Sequence, residues 1–314
     1  MSGVDGMRIA GAHEGSAGPV LLAADPEGQV LLVSTNDGRD GVCRWDADTG
    51  ALRWRSSNDL WGVNSLAAVR LPGGRWVVAA AGDHGVDRWD ALTGDVLPGR
   101  ELQSDTVWAV AAAYLRGGQA MLIGAGHGGE VHRWDPASGT ALGSPLAGHG
   151  ISVKCVAAQE LPDGVTMIAS GGEDGRVHRW DAASGEALGV PLEGSGWTFS
   201  QVAMLPMTRG NTLIAACDTN GLLYRWDATS GEPIGSPVEM GAYAPMLSAI
   251  HLHGQPVLVT SGEDGIVRRW NAVTGRLIDD SLTGIAASST VRADGSVLLA
   301  TGTSEGDVAL RRLD

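Results

Sequence analysis

A few groups of residues in this chain have the types and spacing that chemistry requires. Gly124-Ala125-Gly126-His127-Gly128-Gly129 has the GxGxxG spacing that lets a backbone approach a dinucleotide pyrophosphate. That role needs a helix after the glycines, whereas Val131 to Trp134 have strand composition. Gly302-Thr303-Ser304-Glu305-Gly306 has the GxSxG spacing of a nucleophile elbow, but it too lies between two strand-like segments. His251-Leu252-His253 would place two imidazoles on one face of a strand. A zinc site takes three or four ligands, and no Cys or His partner is implied there, so surface histidines and no metal are expected. None of these motifs brings a cofactor with it.

What remains is an odd aromatic inventory: eleven tryptophans against a single phenylalanine, with Lys154 the only lysine in the chain. The bulk composition sets the frame for it. Hydrophobic residues make up 43% and charged residues 18%, which describes globular protein rather than a disordered chain. The net charge of −14 opposes nucleic acid and anionic membrane, since both need a cationic patch to displace counterions. No stretch approaches the roughly 18 apolar residues of a membrane span. The opening residues lack a basic and an apolar region, so no secretory signal is visible. Three widely spaced cysteines, Cys43, Cys155 and Cys217, form no CxxC pair and point to a reducing cytoplasmic compartment. The bias to Arg, Ala, Gly and Val suggests a GC-rich, bacterial genome.

One phrase recurs: Arg44-Trp45-Asp46, Arg88-Trp89-Asp90, Arg133-Trp134-Asp135, Arg179-Trp180-Asp181, Arg225-Trp226-Asp227 and Arg269-Trp270-Asn271. A degenerate seventh copy is Arg312-Leu313-Asp314, and successive copies are separated by 44, 45, 46, 46, 44 and 43 residues. Within each period a Gly/Asp turn such as Gly172-Glu173-Asp174-Gly175 leads into the strand ending in Arg-Trp. The turn Asp-Ala-x-Thr/Ser-Gly follows, then a short strand at Ala187-Leu188 ending near a proline such as Pro145, Pro191 or Pro237. Two more apolar strands, typified by Val153 to Ala158 and Thr166 to Ser170, complete four per period. No helical stretch of 10 residues or more lies between them. A single four-stranded unit cannot cover both its apolar faces, so neighbours must bury one another.

On its Trp-Asp dipeptides, its period and Gly148-His149, the chain resembles the WD40-repeat family over essentially its whole length. The resemblance implies an all-β, seven-bladed β-propeller with four antiparallel strands per blade, formed by residues 1–314 as a single domain. Asp5-Gly6-Met7-Arg8-Ile9 parallels Thr49-Gly50-Ala51-Leu52-Arg53, so residues 1–12 are expected to supply the outer strand of the last blade and close the ring. Two departures stand out. The residue before Trp, usually aliphatic in the family, is arginine in all seven repeats. Strand alternation turns it toward a neighbouring blade, where each guanidinium would meet backbone carbonyls or a carboxylate. The family's histidine-centred tetrad survives recognisably only in the fourth repeat, as His149, Ser170, Asp174 and Trp180. His132 and His178, two residues before a repeat Trp, are expected between blades or at the rim.

In a propeller of this kind the loops entering the innermost strands ring the mouth of the axial channel. Trp61, Trp108, Trp197 and Tyr243 fall in or beside those loops, and Lys154 sits on the innermost strand of the fourth repeat. Asp59, Asp105, Glu173, Asp218 and Glu263 are expected on the same face. Three readings fit this set. Exposed aromatics can anchor a protein interface, which suits a non-catalytic scaffold for a protein or peptide. They can instead line a pocket for a small organic ligand or a sugar, with Lys154 as a weak catalytic candidate for base or Schiff-base chemistry. Or they plug the channel while Lys154 pairs with a carboxylate.

Overall fold

The computed structural model describes residues 6–24, 27, 29–36, 41–56, 62–99, 105–207, 210–244 and 246–313. The strands group into seven antiparallel sheets, and the fold is a seven-bladed β-propeller. The chain divides into two compact units, Met1–Val63 with Pro245–Asp314, and Asn64–Ala244. Blades 1, 6 and 7 belong to the first of these and blades 2 to 5 to the second.

Blade 4 shows how the repeat folds. Its strands are Val153–Glu160, Thr166–Gly172, Arg176–Asp181 and Leu192–Glu193, hydrogen-bonded in that order. The second strand is buried along its whole length, as a strand packed on both faces must be. After Trp180, Asp181 Oδ1 accepts the backbone N–H groups of Ala183 and Ser184, each at 2.8 Å. Gly185 then closes the reversal onto the Asp181 carbonyl at 2.8 Å with φ of 82°, a conformation suited to glycine. The outer strand is more broken than the sequence suggests. Ala187 makes only an isolated bridge to Trp180, and regular pairing resumes at Leu192. Gly189, at φ 76°, and Pro191, which lacks an N–H, interrupt the ladder between them.

Hydrophobic clusters lie between consecutive blades. Leu122, Val86, Val107 and Trp134 pack together across blades 2 and 3. Met121, Ile168, Val153 and Trp180 do so across blades 3 and 4, and Ile214, Phe199, Val177 and Trp226 across blades 4 and 5. In the unit carrying both termini, Leu32, Trp45, Ala300 and Leu310 join blades 7 and 1.

The arginines of the repeat phrase fasten these interfaces. Arg133 Nη1 donates to the carbonyls of Ala182 (2.8 Å) and Ala183 (3.3 Å) in the next blade's turn, while Nη2 donates to Ser144 of its own outer segment (3.2 Å). Arg179 repeats this with Ala228 (2.8 Å), Thr229 (3.2 Å) and Val190 (3.1 Å). Arg88 reaches Pro136 of the next blade at 2.5 Å and Gly99 of its own at 3.1 Å. Arg269 instead pairs with the Asp279 carboxylate. The receiving turn ends in glycine: Gly185 and Gly231 have φ of 82° and 77°, and a Cβ there would stand 2.8 Å from Arg133 Nη2 and 2.9 Å from Arg179 Nη2.

Blade 7 consists of Ala286–Val291, Val297–Gly302, Val308–Leu313 and, as its outer strand, Met7–Ile9. Met7 pairs with Leu310 and Ile9 with Val308. Asp307 accepts hydrogen bonds from the Arg8 guanidinium and from Gly11 N at 2.7 Å. Deleting residues 1–12 uncovers the edge of Val308–Leu313. The truncated protein should melt at lower temperature and form oligomers on size-exclusion chromatography; an unchanged melting profile would count against this role for the strand. Arg179→Met leaves the carbonyls of Ala228, Thr229 and Val190 without their donor. We expect a loss of about 2–3 kcal/mol in urea unfolding.

Candidate functional site

The loops that leave blades 3, 4 and 5 for the next innermost strand cross back over the Gly-rich turn of the blade they leave. A Cβ on Gly129 would stand 2.8 Å from the Ile151 carbonyl oxygen, and one on Gly175 2.9 Å from the Gly196 Cα. Gly194 N also donates to the Gly175 carbonyl at 3.2 Å. The Ala242-Tyr243 backbone passes over Gly221 in the same way, 3.4 Å from the place of a Cβ. These glycines, at φ of 76°, 69° and 81°, are therefore the supports on which the loops rest.

The innermost strands of blades 3, 4 and 5 each begin with a β-bulge. Val107 faces Gly126 while Ala109 faces Ala125, and Val153 faces Gly172 while Cys155 faces Gly171. Trp108 and Lys154 are thus the extra residues, freed from strict alternation and re-aimed. Lys154 Nζ lies 3.9 Å from the Trp108 ring centroid and 3.1 Å from Glu173 Oε1. The lysine is held by a cation–π contact and an ion pair at once, with its side chain 24% exposed. Trp108 Nε1 is buried and has no hydrogen-bond partner among the described residues.

The remaining expected site residues separate. Trp197, on the loop resting against Gly175, is 55% exposed. Asp105 is exposed and Tyr243 half-buried. Glu263 is exposed on the unit that carries the termini. Asp59 and Trp61 lie outside the described residues. Asp218 is a correction: expected on the open face, it is fully buried. It accepts hydrogen bonds from Ser195 Oγ (2.9 Å), Tyr224 O–H (3.1 Å) and the backbone N–H groups of Asn220 and Leu222. Ile151, 45% exposed, was not singled out from sequence. Its signal was position, since it lies 29 residues before Trp180 as Trp197 lies 29 before Trp226.

The tetrad of blade 4 is intact. Ser170 Oγ is bonded to His149 Nε2 at 2.8 Å and accepts from Trp180 Nε1 at 2.9 Å. His149 Nδ1 donates to Asp174 Oδ2 at 3.0 Å. His178, expected between blades or at the rim, donates from Nε2 to that same oxygen at 3.1 Å. Burial alone would raise the Asp174 carboxyl, but the hydrogen bonds from His149 and His178 outweigh it and hold the group well below the usual carboxylate range. Blade 1 also keeps part of the tetrad, which the sequence reading missed. His13 Nε2 lies 2.7 Å from Ser34 Oγ, and Trp45 Nε1 donates to that hydroxyl at 2.7 Å. The clue was spacing, because His13 precedes Ser34 by 21 residues, as His149 precedes Ser170. His251 and His253 do not share a strand face. The strand ends at Leu252, and exposed His253 sits in the turn with φ of 48°.

The family model for the WD domain, G-beta repeat, matches residues 140–181, the stretch that carries the tetrad. That match and the seven-bladed fold together support a WD40-repeat β-propeller. The crystal structure of the computationally designed Ika8 protein is similar to this WD40 propeller, with a TM-score of 0.62 over 96% of this chain and 97% of that one. At 16% identity that likeness concerns fold alone. Comparison with curated proteins finds no match. WD40 propellers commonly serve as protein-interaction scaffolds.

Asp174 has a folded-state pKa below its unfolded value. Its contribution to stability is complete above the unfolded pKa of about 3.9 and is lost as pH falls toward the folded one. Asp174→Asn should therefore destabilise the WD40 propeller at neutral pH and make its unfolding less steeply dependent on pH below about 4. Parallel slopes for the two proteins in acid urea titrations would show that the tetrad carboxylate is not responsible.

Proposed function

We propose that this WD40 propeller is a non-catalytic binding module, which engages a protein or peptide through the loops that enter the innermost strands of blades 3 to 5. The observation that carries this reading is Trp197, a large aromatic more than half exposed on a glycine-supported loop. Exposed Ile151 stands at the matching position one blade earlier, and Trp108, Lys154 and Glu173 form a polar-aromatic cluster at the same end of blades 3 and 4. Tryptophan and arginine-like cation–aromatic arrangements are the groups that concentrate binding energy at protein interfaces.

The reading as a small-molecule enzyme has less support. Lys154 Nζ is engaged by Glu173 and Trp108 and is not presented to a pocket as a nucleophile. All three cysteines are buried, and burial raises the thiols of Cys155 and Cys217. Two sizeable grooves, of about 640 and 420 Å³, lie elsewhere, between the outer parts of blades 4 and 5 and of blades 3 and 4. Neither is lined by Trp108, Lys154 or Trp197.

Native mass spectrometry of the protein drawn gently from its host's lysate tests the proposal. A macromolecular companion is expected, bound at least 10-fold more weakly by the Trp197→Ala/Ile151→Ala double variant and unchanged by Val190→Ala in the outer groove. A retained adduct of a few hundred daltons, lost in the same double variant, would replace the scaffold with a ligand-binding protein.

A further inference from the structure

We propose that His149, Asp174 and His178 of blade 4 form a binding site for one zinc-class divalent ion. Their donor atoms lie within 4.8 Å of one another. His149 Nδ1 is 3.0 Å and His178 Nε2 3.1 Å from the same oxygen, Asp174 Oδ2. A tetrahedral zinc ion with bonds of about 2.1 Å sets its ligand atoms roughly 3.4 Å apart. The two imidazole–carboxylate distances need to lengthen by only tenths of an ångström to admit the ion, with the two imidazole nitrogens, within 4.8 Å of each other, adjusting to the same spacing. Two imidazoles and one carboxylate suit zinc and its neighbours in the transition series, whereas calcium and magnesium prefer all-oxygen shells.

The rings are already held as ligands require. His149 Nε2 faces Ser170 Oγ at 2.8 Å, and that hydroxyl is anchored by the Trp180 indole. The His178 ring lies nearly parallel to Trp180, with centroids 5.6 Å apart and planes 12° from one another. Such outer partners orient metal-binding imidazoles and set their tautomers. The protons need only be redistributed. In the metal-free protein both rings donate N–H to the carboxylate, which can only accept. On binding, each neutral ring carries its proton on the other nitrogen, and His149 Nε2–H then donates to Ser170. No proton need leave the protein, and the ion replaces two N–H···O bonds.

Access is one-sided. The His149 side chain is fully buried, while those of Asp174 and His178 are 12% and 11% exposed, leaving a fourth position for water. The other repeats supply an internal contrast. In blade 6 the residue two before Trp is Arg268, paired with Asp264 at 2.6 Å, and in blade 5 Tyr224 donates to Asp218. The pairing of this position with a turn acid thus recurs in blades 5 and 6, but a cation or phenol stands where blade 4 has an imidazole. Among the described residues, only in blade 4 do two histidines and a carboxylate converge.

The test uses the tag-free full chain, stripped with a chelator and titrated with Zn²⁺ against a chromophoric competitor while thermal melting is followed. One equivalent should bind and raise the melting temperature. His178→Ala, which keeps the His149–Asp174 and Ser170–Trp180 contacts, should weaken binding by roughly 100-fold, since removing even a supporting partner costs 10–100-fold. His132→Ala, at the matching position of blade 3, should bind as the parent does. Absence of one-to-one uptake, or equal uptake by His178→Ala, overturns the proposal. Should His178→Ala not fold, ¹⁵N-histidine NMR of the parent decides instead. Zinc must move the His149 and His178 ring signals and invert their tautomers; movement confined to other histidines overturns it.

Discussion

A guanidinium inserted between two blades organises much of this protein. Each of Arg88, Arg133 and Arg179 donates from one Nη to the turn of the following blade and from the other to the outer segment of its own. Only arginine presents donors in a rigid fork wide enough for this, because an ammonium is a single point of charge. Burial pushes these arginines below their ordinary pKa, yet that value starts so high that they stay protonated in the folded protein. The desolvation cost is offset by several charge-assisted hydrogen bonds to carbonyls that would otherwise be unsatisfied. The constraint reaches back into the repeat. The turns that receive a guanidinium end in Gly139, Gly185 and Gly231, where a positive φ and the nearby Nη2 both favour a residue without Cβ.

Fastening at the Asp-Ala-x-Thr/Ser-Gly turns leaves the other end of each blade less constrained. In blade 4 the receiving turn adjoins Thr166, whereas the loop to the innermost strand adjoins Gly172, at the opposite end of the same buried strand. The tetrad that bonds this second end is complete in blade 4, partial in blade 1 and replaced in blade 5 by Ser195, Asp218 and Tyr224. Loops that need not supply a tetrad histidine carry Trp197 and lead into the bulge that aims Trp108. Stability and surface chemistry are thus assigned to opposite ends of the same strands, and the glycines beneath the loops keep the second end in defined positions.

Blade 4 gathers the most chemistry. It holds the chain's single lysine, the complete tetrad and a second imidazole on the tetrad carboxylate. Glu173 and Asp174 are adjacent in one turn and point to different partners, Lys154 on the innermost strand and the histidine pair inside the blade. Whatever engages Lys154 and whatever stabilises the histidines therefore share a short, glycine-bounded turn.

The sequence alone determined the architecture, because a hydrophobic and turn pattern repeated seven times leaves few ways to cover every sheet. It also determined the partners of the Arg-Trp arginines in kind, since alternation along a strand sends the arginine away from the Trp and into the next blade. The outer strand of blade 7 was legible for the same reason, in the likeness of Met7–Ile9 to other outer strands. The candidate site was legible only in part. Lys154, Trp108 and Glu173 come together because a bulge, invisible as a spacing, shifts the first two out of alternation. Asp218 went the other way: it ends a buried strand, at the position Gly172 holds in blade 4, and neighbouring hydroxyl groups made that burial tolerable. His178 meeting Asp174 was likewise a matter of tertiary structure. Periodicity states which side of a strand a residue occupies, but the atoms it touches depend on how adjacent strands and loops converge in space.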